Sequence, residues 1–145
     1  METNATRMCA LLVGLPDVNV IGVEDDDAQP LRVHVETTAV IAGCAGCGTR
    51  AWSKGRRQVE MVALPAFGRA AVLVWHKRRW RCPDGSCETG TFTEAQPAIA
   101  AARAGVTDRA GRWMCRQVGE GRSVSAVAPE PGCDWHSVVD AVVAY

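Results

Sequence analysis

Four of the seven cysteines fall in two close pairs, Cys44-x-x-Cys47 in "GCAGCG" and Cys82-x-x-x-x-Cys87 in "RCPDGSC". Zinc takes four thiolates tetrahedrally at about 2.3 Å, and short spacings let one turn of backbone present two ligands at once. Gly46 and Gly48 let the first turn fold back at little steric cost, so that backbone amides reach the sulfurs. Cys44, Cys47, Cys82 and Cys87 are therefore the expected ligands of one Zn2+ ion. Four protein ligands leave no open position for water, which makes the expected site structural rather than catalytic.

The remaining thiols, Cys9, Cys115 and Cys133, have no partner pair at ligand spacing and read as small core hydrophobes. His136 follows Cys133 in "CDWH", again without a second pair nearby. An odd cysteine count argues against a disulfide framework. Clustered reduced thiols suit a cytoplasmic protein, the expected location. A thioredoxin-like use of Cys44 and Cys47 needs a helix opening directly after the pair. "GTRAWSKGRR" has no helical apolar period, and Cys82 and Cys87 would go unused. Hydrophobic residues at 48% and charged residues at 22% describe a globular chain. No apolar run approaches the roughly 20 residues of a membrane span, and "METNATRMCALLVGLP" lacks the apolar core and cleavage site of a secretory signal. Neither a membrane nor a small-molecule substrate is expected as a partner.

The elements between the pairs must bring them together. "VNVIGV" and "LRVHVET" alternate β-branched residues on either side of the polar turn "EDDDAQP", which predicts an antiparallel hairpin. "RRQVEMVAL" and "RAAVLVWHKRRWRC" predict two further strands joined at "PAFG", so a hairpin links the two knuckles as in a zinc ribbon. Val72, Val74 and His76 share one face of the last strand and Leu73, Trp75 and Lys77 the other, which leaves the buried face open. A bulge is expected within Trp75 to Trp80. "ETGTFTEAQPAIAAARAG" reads as a connector. From Thr107 the period becomes helical: Thr107 caps a helix with Ala110, Trp113, Met114 and Val118 on one face, Ser123 caps a short one, and Asp134 caps a third with Trp135, Val138, Val139 and Val142. The expected fold class is α+β, a small β-rich zinc-ribbon-like domain over residues 1–95, a connector over 96–106, and a tri-helical helix-turn-helix segment over 107–145.

Lys and Arg together number 16, and so do Asp and Glu, but they are not evenly spread. The stretch from Arg50 to Arg81 is basic apart from Glu60. "KGRR" follows the first knuckle and "WHKRRWR" precedes the second, so both lie near the same metal. Cations interleaved with aromatic rings suit phosphate backbones and base stacking, and Lys54, Arg56, Arg57, His76, Lys77, Arg78, Arg79 and Arg81 are the expected DNA contacts. A solvated strand face is the competing explanation. In the C-terminal helices Ala128, Gly132, Val138, Ala141 and Val142 have the layout of a helix-turn-helix, whose second helix offers its N-terminal residues to the major groove. Trp135, His136 and Ser137 are then the expected contacts, against a plain tri-helical core as the alternative. A protein-interaction zinc ribbon without DNA contact fits the same cysteines and would use Trp75 or Trp80 as exposed anchors.

These blocks together, "LLVGLPDVNVIGVEDDDAQPLRVHVET", "CAGCG", "LPAFGRAAVLVWHKRRWRCPDGSC", "FTE" and "RSVSAVA" with "GCDWHSVVDAV", resemble the N-terminal region of ISL-type bacterial insertion-sequence transposases. The resemblance runs from about Leu11 to the end. It implies a zinc-binding domain followed by a helix-turn-helix that recognises the terminal inverted repeats of the element. It further implies that Cys44, Cys47, Cys82 and Cys87 bind zinc and that the helix from Asp134 contacts DNA. Partners implied are double-stranded DNA and a second copy of the chain or a full-length transposase. The large catalytic domain of the family, with its spaced metal-binding acids, has no counterpart among these residues, so no strand-transfer chemistry is expected of this chain. Pro129 and Pro131 in "APEPG" stand where the first helix of the motif normally finishes with helix formers, and proline in a helix interior costs about 3 kcal/mol. A distorted helix-turn-helix is expected.

Overall fold

Both predicted hairpins form, and one sheet joins them in the computed structural model, which describes residues 1–145. Strands β1 (Val18–Glu24) and β2 (Leu31–Thr37) are antiparallel, as are β3 (Trp52–Val62) and β4 (Ala71–Arg81). The hairpins meet where β2 lies parallel to β4, giving the order β1-β2-β4-β3. β2 occupies that edge of β4 only from Ala71 to Trp75, and the short β5 (Thr91–Thr93) takes it over at Arg79–Arg81. β4 is thereby paired on both sides. The bulge lies not in β4, where it was expected, but in β3 between Ser53 and Arg56. A bulge in β4 would disturb two ladders, whereas in β3 Gly55 absorbs the extra residue at a φ of 93°.

Two cores follow. The sheet buries Val18, Val35, Met61, Leu73 and Trp75 on one face, closed over by Ile99 and Ala100. The segment 96–106, expected as a connector, contains no helix or strand yet is packed in place. Ile99 is fully buried, the Val62 amide donates to the Gly105 carbonyl, and the Thr107 amide donates to that of Val62. The second core belongs to the helices α2 (Asp108–Gly119), α3 (Val124–Val127) and α4 (Trp135–Ala144), built on Ala110, Met114, Val127, Val138 and Ala141. Thr107, Ser123 and Asp134 cap them as expected, each side chain accepting from the amide three residues on. Tyr145 closes the bundle against Gly111, where a Cβ would come within 2.4 Å of its ring. α3 is a single turn that stops two residues before Pro129.

The N-terminal patch is a helix, α1 (Ala5–Val13), capped by Asn4 and stopped by Gly14 in the left-handed region. None of its residues is buried, and Met8, Leu11 and Leu12 are exposed. No helix in the chain is long and apolar enough to cross a membrane.

Candidate metal centre and its charged surroundings

The sheet delivers the two cysteine pairs to one end. Cys44 and Cys47 stand just before β3, Cys82 directly after β4, and the pairing of Trp52 with Arg81 holds the two strand ends side by side. The sulfurs of Cys44 and Cys87 are 3.7 Å apart, those of Cys47 and Cys82 are 3.5 Å apart, and all four lie within 4.8 Å of one another. A tetrahedron with zinc–sulfur bonds of 2.3 Å has sulfur–sulfur edges of about 3.8 Å, so the spacing fits the ion. Cys44 and Cys82 are buried, Cys47 is exposed and Cys87 intermediate.

The first knuckle surrounds its sulfurs with donors. The Cys44 thiol is held down to about 6, chiefly by the Cys47 amide and then by the Thr89 hydroxyl, with a further contribution from the Gly46 amide. Cys47 is also lowered, first by the hydroxyl and amide of Thr49. At Cys82 the Asp84 amide favours the thiolate, but burial and the three neighbouring cysteines prevail and push it up to about 12. Four thiolates cannot gather here without a cation among them, and zinc supplies it. A Cβ at Gly46 would meet the Thr89 hydroxyl at 2.3 Å and would displace a donor to Cys44. In the wider second knuckle Asp84 turns its carboxylate onto the Ser86 amide at 2.9 Å and the Ser86 hydroxyl at 2.7 Å, which stabilises the longer turn. After Cys47 the chain runs into β3 and not into a helix, which removes the thioredoxin-like alternative.

The basic band divides by strand alternation, since neighbouring side chains point to opposite faces. On the face away from the sheet core the cations are engaged. Arg56 pairs with Glu36 and Arg78 donates to the Thr37 carbonyl at 3.1 Å, with Glu36 at 4.0 Å. Arg32 bridges Glu24 and Glu60. His34 Nε2 sits 2.6 Å from Glu24, and its Nδ1 meets His76 Nε2 at 2.9 Å. Burial first, then the neighbouring His34, lowers the pKa of His76.

On the opposite face the cations have no acid. Arg57 pairs in register with Lys77, and Arg79 and Arg81 follow at alternate positions along β4. None of the four has a carboxylate within ion-pair distance, nor has Lys54 in the bulge, whose ammonium donates to the Thr91 hydroxyl at 3.2 Å. Lys77 lies 4.3 Å above the ring of Trp75. Like charges directly opposite across a strand pair repel, and no acid on this face relieves them.

The aromatic expectation needs correction. Trp75 is fully buried and Trp80 is 4% exposed, so neither is an anchor or a stacking platform. Both lie on the central strand, where packing from either side covers them. The exposed tryptophan at the metal end is Trp52, at 62%, on the edge strand. Its position in the short run between Cys47 and "KGRR" was the available signal. In α4, Trp135 and His136 are exposed with rings edge to face at 5.5 Å, whereas Ser137 donates its amide and hydroxyl to Asp134 as part of the cap. Cys9, Cys115 and Cys133 are each intermediate in burial rather than fully in a core.

No curated protein and no solved structure matches the chain. Residues 42–87, which span both cysteine pairs and the β3–β4 hairpin between them, match a family model, the zinc-finger of transposase IS204/IS1001/IS1096/IS1165. Four cysteines at tetrahedral spacing inside that match mark a structural zinc site. The segment from residue 42 to residue 87 is thus a zinc-binding region similar to that of ISL3-type transposases.

Proposed function

We propose that this chain is a DNA-binding portion of a transposase, in which zinc holds the β3–β4 hairpin in shape and carries out no chemistry. The observation that carries the proposal is Arg57 directly opposite Lys77, with Arg79 and Arg81 beside them and no acid in reach. A phosphate backbone supplies the missing anions along a row of this kind. Lys54, Arg57, Lys77, Arg79 and Arg81 are the backbone contacts in this reading. His76, Arg56 and Arg78, engaged within the sheet, are left to a structural role. The single turn α3 and helix α4 serve as a distorted helix-turn-helix that reads the terminal inverted repeats, with the exposed Trp135 and His136 leading and Ser137 positioned by its cap. The chain itself carries out no reaction in this reading.

The test is duplex binding by the zinc-loaded protein across a salt series. Lys77→Glu with Arg79→Glu should weaken binding and reduce the slope of log K against log salt by about 1 for each phosphate no longer neutralised. Arg56→Gln should leave that slope in place. Binding indifferent to salt and to the double charge reversal would overturn the proposal. A second reading, a zinc ribbon that engages a full-length transposase or another copy of the chain, draws on the exposed Val40, Ile41 and Trp52 near the metal. It predicts partner binding that survives the charge reversal.

A further inference from the structure

A large exposed aromatic ring on a small domain calls for an occupant. Trp52 is 62% exposed and opens into a shallow depression of about 510 Å³ lined by Val40, Arg50, Ala51, Trp52, Ser53 and Trp80. Arg81 is its cross-strand partner, and Lys54 follows two residues later in the bulge. Arg50, Lys54 and Arg81 make no ion pair. Of the acids on the facing knuckle, Asp84 is turned onto its own Ser86 and Glu88 pairs with nothing.

We infer that Trp52 is a stacking platform for an unpaired DNA base, with Arg50, Lys54 and Arg81 holding the phosphates on either side of it. The inference rests on the DNA-binding reading above and adds a preference to it, for single-stranded DNA at the zinc end. Within a duplex each base already has both π-faces covered by its neighbours, so a flat exposed indole has nothing to stack on there. An unpaired base offers a free face, and the three cations match the phosphates that come with it. A protein partner would want carboxylates for those cations in addition to an apolar group for the ring. A single strand supplies ring and anion in every repeating unit. The metal contributes by fixing both strand ends, so that Trp52 and Arg81 remain adjacent when the strand arrives.

The probes are a twelve-thymidine strand and a blunt duplex, each titrated into the zinc-loaded full chain at fixed salt. Trp52→Ala should weaken binding of the thymidine strand about tenfold, the usual range for loss of one stacked base, and leave duplex affinity unchanged. Trp52→Phe should keep most of the single-strand affinity, and the tryptophan fluorescence quenched by the strand in the original protein should respond much less in the alanine variant. Equal zinc content in all three proteins shows that the fold is intact. If the strand binds the alanine variant as well as the original, or both probes weaken together, the stacking site is wrong while DNA binding stands. Failure of the original protein to bind either probe overturns this inference and the DNA-binding reading together. Self-association that disappears in Trp52→Ala, with no strand binding in the original protein, would assign the ring to a second copy of the chain.

Discussion

The two faces of the β3–β4 hairpin carry nearly the same residue types and do different things. On one, Arg56 and Arg78 meet Glu36, and His76 joins His34 and Glu24 in a closed row of hydrogen bonds. On the other, Arg57, Lys77, Arg79 and Arg81 stand without an acid. "HKRR" is a run of adjacent basic residues, yet strand alternation sends every second one to a neutralised surface. Local charge density in a sequence therefore overstates the charge a sheet presents, by about half in a fully paired hairpin. What separates the two sets is Glu36, which comes from β2 and reaches the hairpin only because β2 lies parallel to β4.

Removing the metal breaks this comparison most completely. Chelation, or Cys82→Ser, should abolish zinc binding and unfold the metal end of the hairpin, and both faces would lose definition there. Zinc stoichiometry and amide exchange in β3 read the outcome, and a metal-free hairpin with full protection would contradict the structural role. Next in size is Glu36→Gln, which removes the carboxylate from two arginines at once. Arg78 has a side chain only 15% exposed and its Nε is already buried without a partner, so a cost of about 1–3 kcal/mol is expected in denaturant unfolding. Duplex affinity should change little, since Arg56 and Arg78 lie on the face that does not meet DNA in this reading. A marked rise in affinity and in its salt slope would assign the paired face to DNA as well. The smallest effect concerns pH. Burial and His34 hold the pKa of His76 below its ordinary 6.5, so the folded protein resists a proton that the unfolded chain accepts. That stabilisation is complete above about 6.5 and lost as pH falls below it. His76→Gln should give a shallower decline of Tm on acidification, and an identical decline would show that His76 is not a constrained neutral group.

Much of this was legible in the residues. The zinc ligands follow from two short spacings, the helix starts from Thr107, Ser123 and Asp134, and both hairpins from alternation around polar turns. These are local signals, and local physics decides them. Long-range outcomes were not visible. Ile99 sits in an alanine-rich stretch with Gly and Pro nearby and reads as a linker, but the open face of the sheet requires a cover and Ile99 supplies it. Trp75 and Trp80, flanked by cations, look like surface residues until β4 is known to be paired on both edges. Trp52, on a strand with only one neighbour, keeps its ring in solvent. α1 escaped notice because a helix with no buried residue carries little more than its caps to reveal it. The residues that pair Arg56 and Arg78 are likewise set by which strands become neighbours, a matter of topology rather than of spacing.

The bulge at Lys54 and Gly55 bears on how the protein avoids its own kind. β3 closes one side of the sheet, and its outer edge, without a strand partner ahead of the bridge at Val62, is a template on which another chain can add. A strand that bends out of plane and carries Lys54, Arg56 and Arg57 along its outer half is a poor template, because an incoming copy would have to match the kink and bring like charges together. The same interruption thus guards against fibre-like aggregation for as long as the zinc keeps the hairpin folded.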